Sequence, residues 1–167
     1  LFAGITALIA LFYEGKPTKV LKLMSATATG LTFTVVVLFL GPIYGYGRMY
    51  KNANLFFHLI VPLIAMVDYV LLPEVKKEMK WRILSAALTL LYGIGYVLNI
   101  LINGMGGRYP NNNDFYFFLR WGWGVAIMIF AVIVLVSFGI ANLLCALNSK
   151  VGGGRKTSRP AKGETTA

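Results

Sequence analysis

The sequence predicts an all-α fold: an integral membrane helical bundle with five spans visible. Three observations carry this reading. Of 167 residues, 57% are hydrophobic and only 13% charged, with a mean hydropathy of +0.70, whereas a soluble domain is typically about half apolar and about a quarter charged. The apolar residues gather in long runs without period-two alternation, so helices rather than barrel strands satisfy the backbone in lipid. The basic residues fall in the breaks between runs and in the C-terminal tail.

The opening run, LFAGITALIALFYEG, is apolar over positions 1–13. At 1.5 Å per residue it reaches about 20 Å, short of a bilayer core of about 30 Å. It reads as the last two-thirds of a helix whose beginning is expected before Leu1. No basic n-region and cleavage site mark it as a secretory signal. Four longer runs follow at 23–40, 54–72, 83–102 and 121–147. The breaks EGKPTK, GPIYGYG, LPEVKKEMKWR and NGMGGRYPNNND carry turn-forming residues. Residues 1–149 form the bundle. Residues 150–167, ending VGGGRKTSRPAKGETTA, lack apolar periodicity and read as a disordered basic tail.

Charge orients the helices. Lys16, Lys19, Lys22, Lys76, Lys77, Lys80, Arg82, Lys150, Arg155, Lys156, Arg159 and Lys162 fall on one side, twelve of the 16 basic residues. Arg48, Lys51, Arg108 and Arg120 fall on the other. The richer side is expected to be cytoplasmic, which puts the C-terminus there. Tyr44, Tyr46, Tyr50, Tyr109, Trp121 and Trp123 lie at the outer boundary and Trp81 at the inner one, the depth that suits amphipathic rings.

The net charge of +10 does not point to nucleic acid, because the basic residues sit in short breaks rather than on one folded face. Cys145 is the single cysteine, so it offers neither an intrachain disulfide nor a cysteine metal cluster, and one histidine rules out the usual multi-histidine sites. No metal and no cofactor are expected. The partner expected from composition is membrane lipid.

Two polar residues stand in the third run. His58 is the only histidine and Asp68 one of six acids. Asp68 lies about 15 Å deeper than His58, and their directions differ by about 80°, so both can face the bundle. Ionisable residues in spans usually face a cavity or the protein interior. For Asp68 the plainer reading is an interfacial carboxylate paired with a lysine. For His58 it is a packing histidine bonded to a neighbour; the functional one is general acid–base work. The next run adds a polar stripe: Ser85, Thr89, Tyr92, Tyr96, Asn99 and Asn103 recur at helical spacing. Such a stripe needs protein or water as its partner. Interhelical hydrogen bonding is one reading, and a polar cleft open at the outer end, shared by His58, Asn99 and Asn103, is the other. Ser25, Thr29 and Thr32 make a shorter stripe across it, with Ala26, Ala28 and Gly30 small enough for close helix packing. Pro62, four residues after His58, removes a backbone hydrogen bond and kinks the helix there.

NANLFFHLIVPLIAMVDY resembles the third-helix motif of a six-helix membrane superfamily, in which Asn and a single His precede a Pro and then an acid. LLYGIGYVLNILINGMGGRYP resembles a later helix of that superfamily, with Gly-Tyr in the span and Tyr-Pro just after it. The superfamily includes the androgen-induced-gene family, threonine hydrolases that cleave fatty acid esters of hydroxy fatty acids. It also includes related bacterial six-span proteins, to whose second span LTFTVVVLFLGP is closer. The resemblance covers most of residues 1–145 and implies six spans with both ends cytoplasmic, in a bacterial plasma membrane. It implies that His58 matches the catalytic histidine, although Pro62 stands one residue nearer to it than in the hydrolases. It places the threonine nucleophile upstream of Leu1, and Thr6 does not match that position.

Two functions are therefore expected to compete. One is an intramembrane hydrolase of a lipid ester, with His58 as base for a threonine hydroxyl and Tyr96, Asn99 or Asn103 orienting the substrate or its oxyanion. The other is a non-enzymatic membrane protein, a small transporter or lipid-binding scaffold, in which His58 and Asp68 serve a proton relay.

Overall fold

The computed structural model describes residues 1–73, 78–106, 112–114, 116 and 118–157, the last five as backbone. Lys76, Lys77, Arg108, Arg159 and Lys162, which entered the tally of basic residues, and Tyr109, one of the boundary aromatics, lie outside the described residues. The described chain is helical, and the one β-bridge among the described residues joins Gly106 and Asn112. The helices are α1 (Phe2–Phe12), α2 (Lys16–Tyr44), α3 (Ala53–Leu71), α4 (Met79–Asn103) and α5 (Gly122–Thr157). Four of them are long and apolar enough to cross a membrane, and α1 is a shorter apolar helix. The protein is an all-α membrane bundle.

α2 is the hub, touching each of the other four helices. Its run of small side chains explains why. Ala26 and Thr27 are fully buried, and a Cβ on Gly30 would sit 3.0 Å from Met66 Sδ of α3 and 3.2 Å from Ile140 Cγ2 of α5. In lipid, helices associate through such close backbone approach rather than through expulsion of water. Beside this contact a core of Leu23, Ala26, Tyr69, Leu144 and Cys145 joins α2, α3 and α5.

One end of the bundle is tied by polar groups. Glu78 accepts from Lys16 and Lys80, both at 2.7 Å, which puts the α1–α2 turn and the start of α4 on one side. Those hydrogen bonds hold its carboxyl at about 2, below the ordinary 4.5. Asn148 of α5, 1% exposed, donates its amide to the carbonyls of Tyr69, Val70 and Leu72 at the end of α3. A helix end leaves such carbonyls without intrahelical partners. With Asn148 packed there, α5 continues to Thr157, so the boundary expected at 149/150 falls inside a helix. That boundary followed hydrophobicity, which ends at Leu147; helical hydrogen bonding does not need an apolar side chain.

α2 and α3 each contain one wide turn just before a proline. Val36–Leu40 and Phe56–Ile60 are π-helical: Gly41 N–H reaches Val36 O, and Val61 N–H reaches Phe56 O. Pro42 and Pro62 follow. Each has no N–H to give and a ring that crowds the carbonyl four residues back, and opening the turn relieves that crowding. In α3 the crowded carbonyl belongs to His58.

Candidate functional site

Both wide turns border a cavity of about 450 Å³ in the half of the bundle away from Lys16 and Lys22. Its wall is mostly carbon: Leu31, Val35, Val36 and Phe39 from α2, Leu88 and Gly93 from α4, Phe130 and Ile133 from α5. The polar members are Thr32, His58, Thr89, Tyr92, Tyr96 and Tyr116, and among the described lining residues there is no Lys, Arg, Asp or Glu. A void of this size with few polar groups has the character of a small-molecule site.

His58 is half-buried, and its Nδ1 lies 3.0 Å from the carbonyl oxygen of Met49. A carbonyl only accepts, so Nδ1 carries the proton and Nε2 of the neutral ring is the basic nitrogen. Met49 does not line the cavity. No direct hydrogen bond joins His58 to a side chain of α2 or α4 among the described residues. The imidazole instead shares the cavity wall with Thr32, Tyr92 and Tyr96.

The stripe on α4 is satisfied rung by rung. Ser85 donates to Trp81 O at 2.8 Å, and Thr89 bonds Ser137 of α5 at 2.9 Å. Tyr92 bonds the hydroxyl of Tyr116 at 3.1 Å, and Tyr96 donates to the carboxylate of Asp114. Asn99 donates to Asn113 at 3.4 Å, and Asn103 to Asn99 at 2.8 Å. Of this stripe, Thr89, Tyr92 and Tyr96 border the cavity, while Asn99 reaches Asn113 in the segment after α4 and Asn103 turns back to Asn99.

The remaining candidates separate in the same way. Thr32 is exposed at the cavity wall and donates to Ala28 O at 3.2 Å; Thr29 turns back to Ser25 O at 2.9 Å and does not line it. Short hydroxyl side chains in a helix commonly take this local partner. Asp68 pairs with Lys22 of α2 through both oxygens, at 3.1 and 2.9 Å, and lies outside the cavity wall. Its expected place in the cleft is corrected to an interhelical ion pair at the basic end, the plainer of the two readings.

Sequence reasoning missed the roof. Asp114, 2% exposed, accepts from Tyr96 and from the backbone N–H groups of Phe118 and Leu119, both at 3.0 Å. Its own N–H donates to the Asn112 side chain at 2.7 Å, a local turn bond. This carboxylate seats Tyr116 and Phe118 against Tyr96, with ring centroids 5.4, 5.8 and 5.3 Å apart. Burial and the bond to Tyr92 push the Tyr116 phenol above its ordinary range. An acid standing before an aromatic run, in a chain with six acids, was the available signal. Tyr96, Tyr116 and Phe118 line the end of the cavity away from Lys16 and Lys22. On the flank, Thr32 and Tyr92, the latter 58% exposed, stand both in the wall and on the outside of the bundle.

No family model, curated protein or solved structure matches this chain.

Proposed function

We propose that this protein handles a membrane lipid inside the bilayer, with the hydrocarbon part of the ligand in the cavity and its hydrogen-bonding head beside His58, Thr32 and Tyr92. The observation that carries this reading is a largely apolar cavity inside a membrane bundle that has the chain's only histidine in its wall. Hydrolysis of a lipid ester is the reaction that fits it. With Nδ1 occupied by Met49, Nε2 is poised to take a proton from a hydroxyl attacking the ester carbonyl and then return it to the leaving alkoxide. The resemblance to the androgen-induced-gene hydrolases supports this assignment of His58. That resemblance puts the attacking threonine upstream of Leu1, and no described hydroxyl is bonded to His58.

A second reading, a lipid-binding scaffold without chemistry, is favoured by one observation. His58 meets a backbone carbonyl where a catalytic base would meet its nucleophile or an orienting carboxylate. A photoactivatable long-chain ester, followed for both crosslinking and turnover on the full-length protein, separates the two. The hydrolase reading expects turnover that His58→Gln abolishes while crosslinking at the cavity persists. Crosslinking without turnover in the wild type establishes the scaffold, and neither signal refutes lipid handling.

The orientation that goes with this reading places the Lys16–Glu78–Lys80 end and the C-terminus in the cytoplasm of a bacterium, with the aromatic roof outside. Cysteines substituted at Lys19 and Lys51 in a Cys145→Ala background test it with an impermeant thiol reagent on intact cells. Lys51→Cys is expected to react and Lys19→Cys to be protected; the reverse overturns the orientation.

A further inference from the structure

We infer that Tyr46 is a positioning residue for His58. Through the short turn Tyr46–Met49 it holds the Met49 carbonyl on Nδ1, and so keeps Nε2 of the neutral ring free of a proton. The chemistry that this serves rests on the hydrolase reading above; the state of the ring does not.

The wide turn in α2 leaves one carbonyl short of a donor. The Gly41 N–H goes to Val36 O, and Pro42, the next residue, has no N–H, so Val37 O is not supplied by the residues that would normally reach it. The Tyr46 hydroxyl donates to it instead, at 2.8 Å. That bond needs the ring to lie close against the helix, and Gly41 makes the room: a Cβ there would overlap the Tyr46 ring. The Tyr50 ring stacks on that of Tyr46, with centroids 6.2 Å apart and planes 16° from parallel.

The same turn reaches α3 on its other side. The Met49 N–H bonds Gly45 O at 3.2 Å and the Tyr50 N–H bonds Tyr46 O at 2.9 Å, so the Tyr46 ring and the Met49 carbonyl belong to one hydrogen-bonded turn. That carbonyl accepts from His58 Nδ1 at 3.0 Å. Gly45 and Asn52 bend the chain on either side of it, at φ 85° and 55°. Asn52 is the one non-glycine residue with positive φ among the described residues, a conformation that persists only where surrounding contacts impose it. Tyr46 on Val37 and Met49 on His58 are two such contacts. Together they tie the wide turn of α2 to that of α3, and both turns border the cavity.

The tie decides what His58 can do. A neutral histidine ring without a partner carries its proton mainly on Nε2, where it donates but takes no proton. With Nδ1–H given to a carbonyl, Nε2 holds the lone pair that a general base needs.

The chain's only histidine makes the test direct, since its signals need no assignment. Nitrogen NMR of histidine-labelled full-length protein in bicelles, at about pH 8 where histidine side chains are uncharged as a rule, reads which ring nitrogen carries the proton. In the wild type it is expected on Nδ1. Tyr46→Phe keeps the ring and removes the hydroxyl, and should lower the ratio of Nδ1–H to Nε2–H about fivefold, the size of one ordinary hydrogen bond. Gly41→Ala keeps the hydroxyl and displaces the ring, and should shift the ratio the same way. Asn103→Ala, which cuts a bond on α4, should leave it unchanged. A fall in either of the first two variants supports the tie. A ratio unchanged in both, an equal fall in Asn103→Ala, or a wild-type ring protonated on Nε2 overturns it. Turnover of a long-chain ester is measured on the same samples: a wild type that cleaves none removes the hydrolase reading, a result separate from the state of the ring.

Discussion

Replacing Asp114 by alanine removes one buried carboxylate and strands three donors. The Tyr96 hydroxyl and the Phe118 and Leu119 amides all end on it, and the residue is 2% exposed, so water does not take its place. Hydrogen bonds to a charged acceptor contribute about 1.5–3 kcal/mol each. They do not add within one network, and removing the carboxylate also removes the cost of burying it. The expected loss is therefore about 3–4 kcal/mol rather than the simple total. Tyr96→Phe removes one donor and keeps the ring stack, so it should cost about 1–2 kcal/mol. The two substitutions share a bond, and a double-mutant cycle should return a coupling of about 1–2 kcal/mol. Unfolding in mixed micelles of increasing denaturing-detergent content, followed by tryptophan fluorescence, measures all four corners. Crosslinking of the lipid probe should fall in Asp114→Ala, because the roof over the cavity is no longer seated. A cost below about 1 kcal/mol for Asp114→Ala, or a coupling near zero, would refute the network as the element that holds the roof.

A Cβ on Gly93 would lie 1.8 Å from the Phe130 ring, so Gly93→Ala must drive that ring off the helix backbone. Overpacking of this kind costs about 1–3 kcal/mol, and adding Phe130→Ala should recover part of it; a purely additive double variant argues against the contact. Glu78 gives a pH signature. Its folded value of about 2 lies below the ordinary 4.5, so the native state binds fewer protons in between. The stability difference between wild type and Glu78→Gln should be full above pH 4.5, shrink as pH falls through that window, and vanish near pH 2; a difference unchanged between pH 6 and 2.5 contradicts the pairing with Lys16 and Lys80. Asp68→Asn should cost less than about 1 kcal/mol, since the Asp68 side chain is 49% exposed and its pair with Lys22 is screened. It should leave lipid crosslinking unchanged. Loss of crosslinking in this variant would return Asp68 to the site.

The membrane class, the helices and their breaks were legible from the chain alone, because burial in lipid imposes itself on every residue of a span. An apolar run long enough to cross has few structures open to it, and the runs at 54–72 and 83–102 became α3 and α4 within a few residues. The proline before which each wide turn forms was also visible, at Pro42 and Pro62. The regular spacing of Ser85 through Asn103 announced a polar face, since one helix surface is a local property.

What that face meets is not local. Spacing places six polar groups in line but says nothing about the partner that each finds. Only packing showed that Thr89 meets Ser137, that Tyr92 and Tyr96 meet Tyr116 and Asp114, and that Asn99 reaches Asn113 beyond the helix. The same limit moved Asp68 out of the cleft, because Lys22 lies 46 positions away in sequence and close in space. His58 kept its place in the cavity wall, but its Nδ1 partner, Met49, is a backbone group whose position depends on how the chain turns before α3. A sequence states which side chains a span must hide; the pairing of helices decides from what, and with whom.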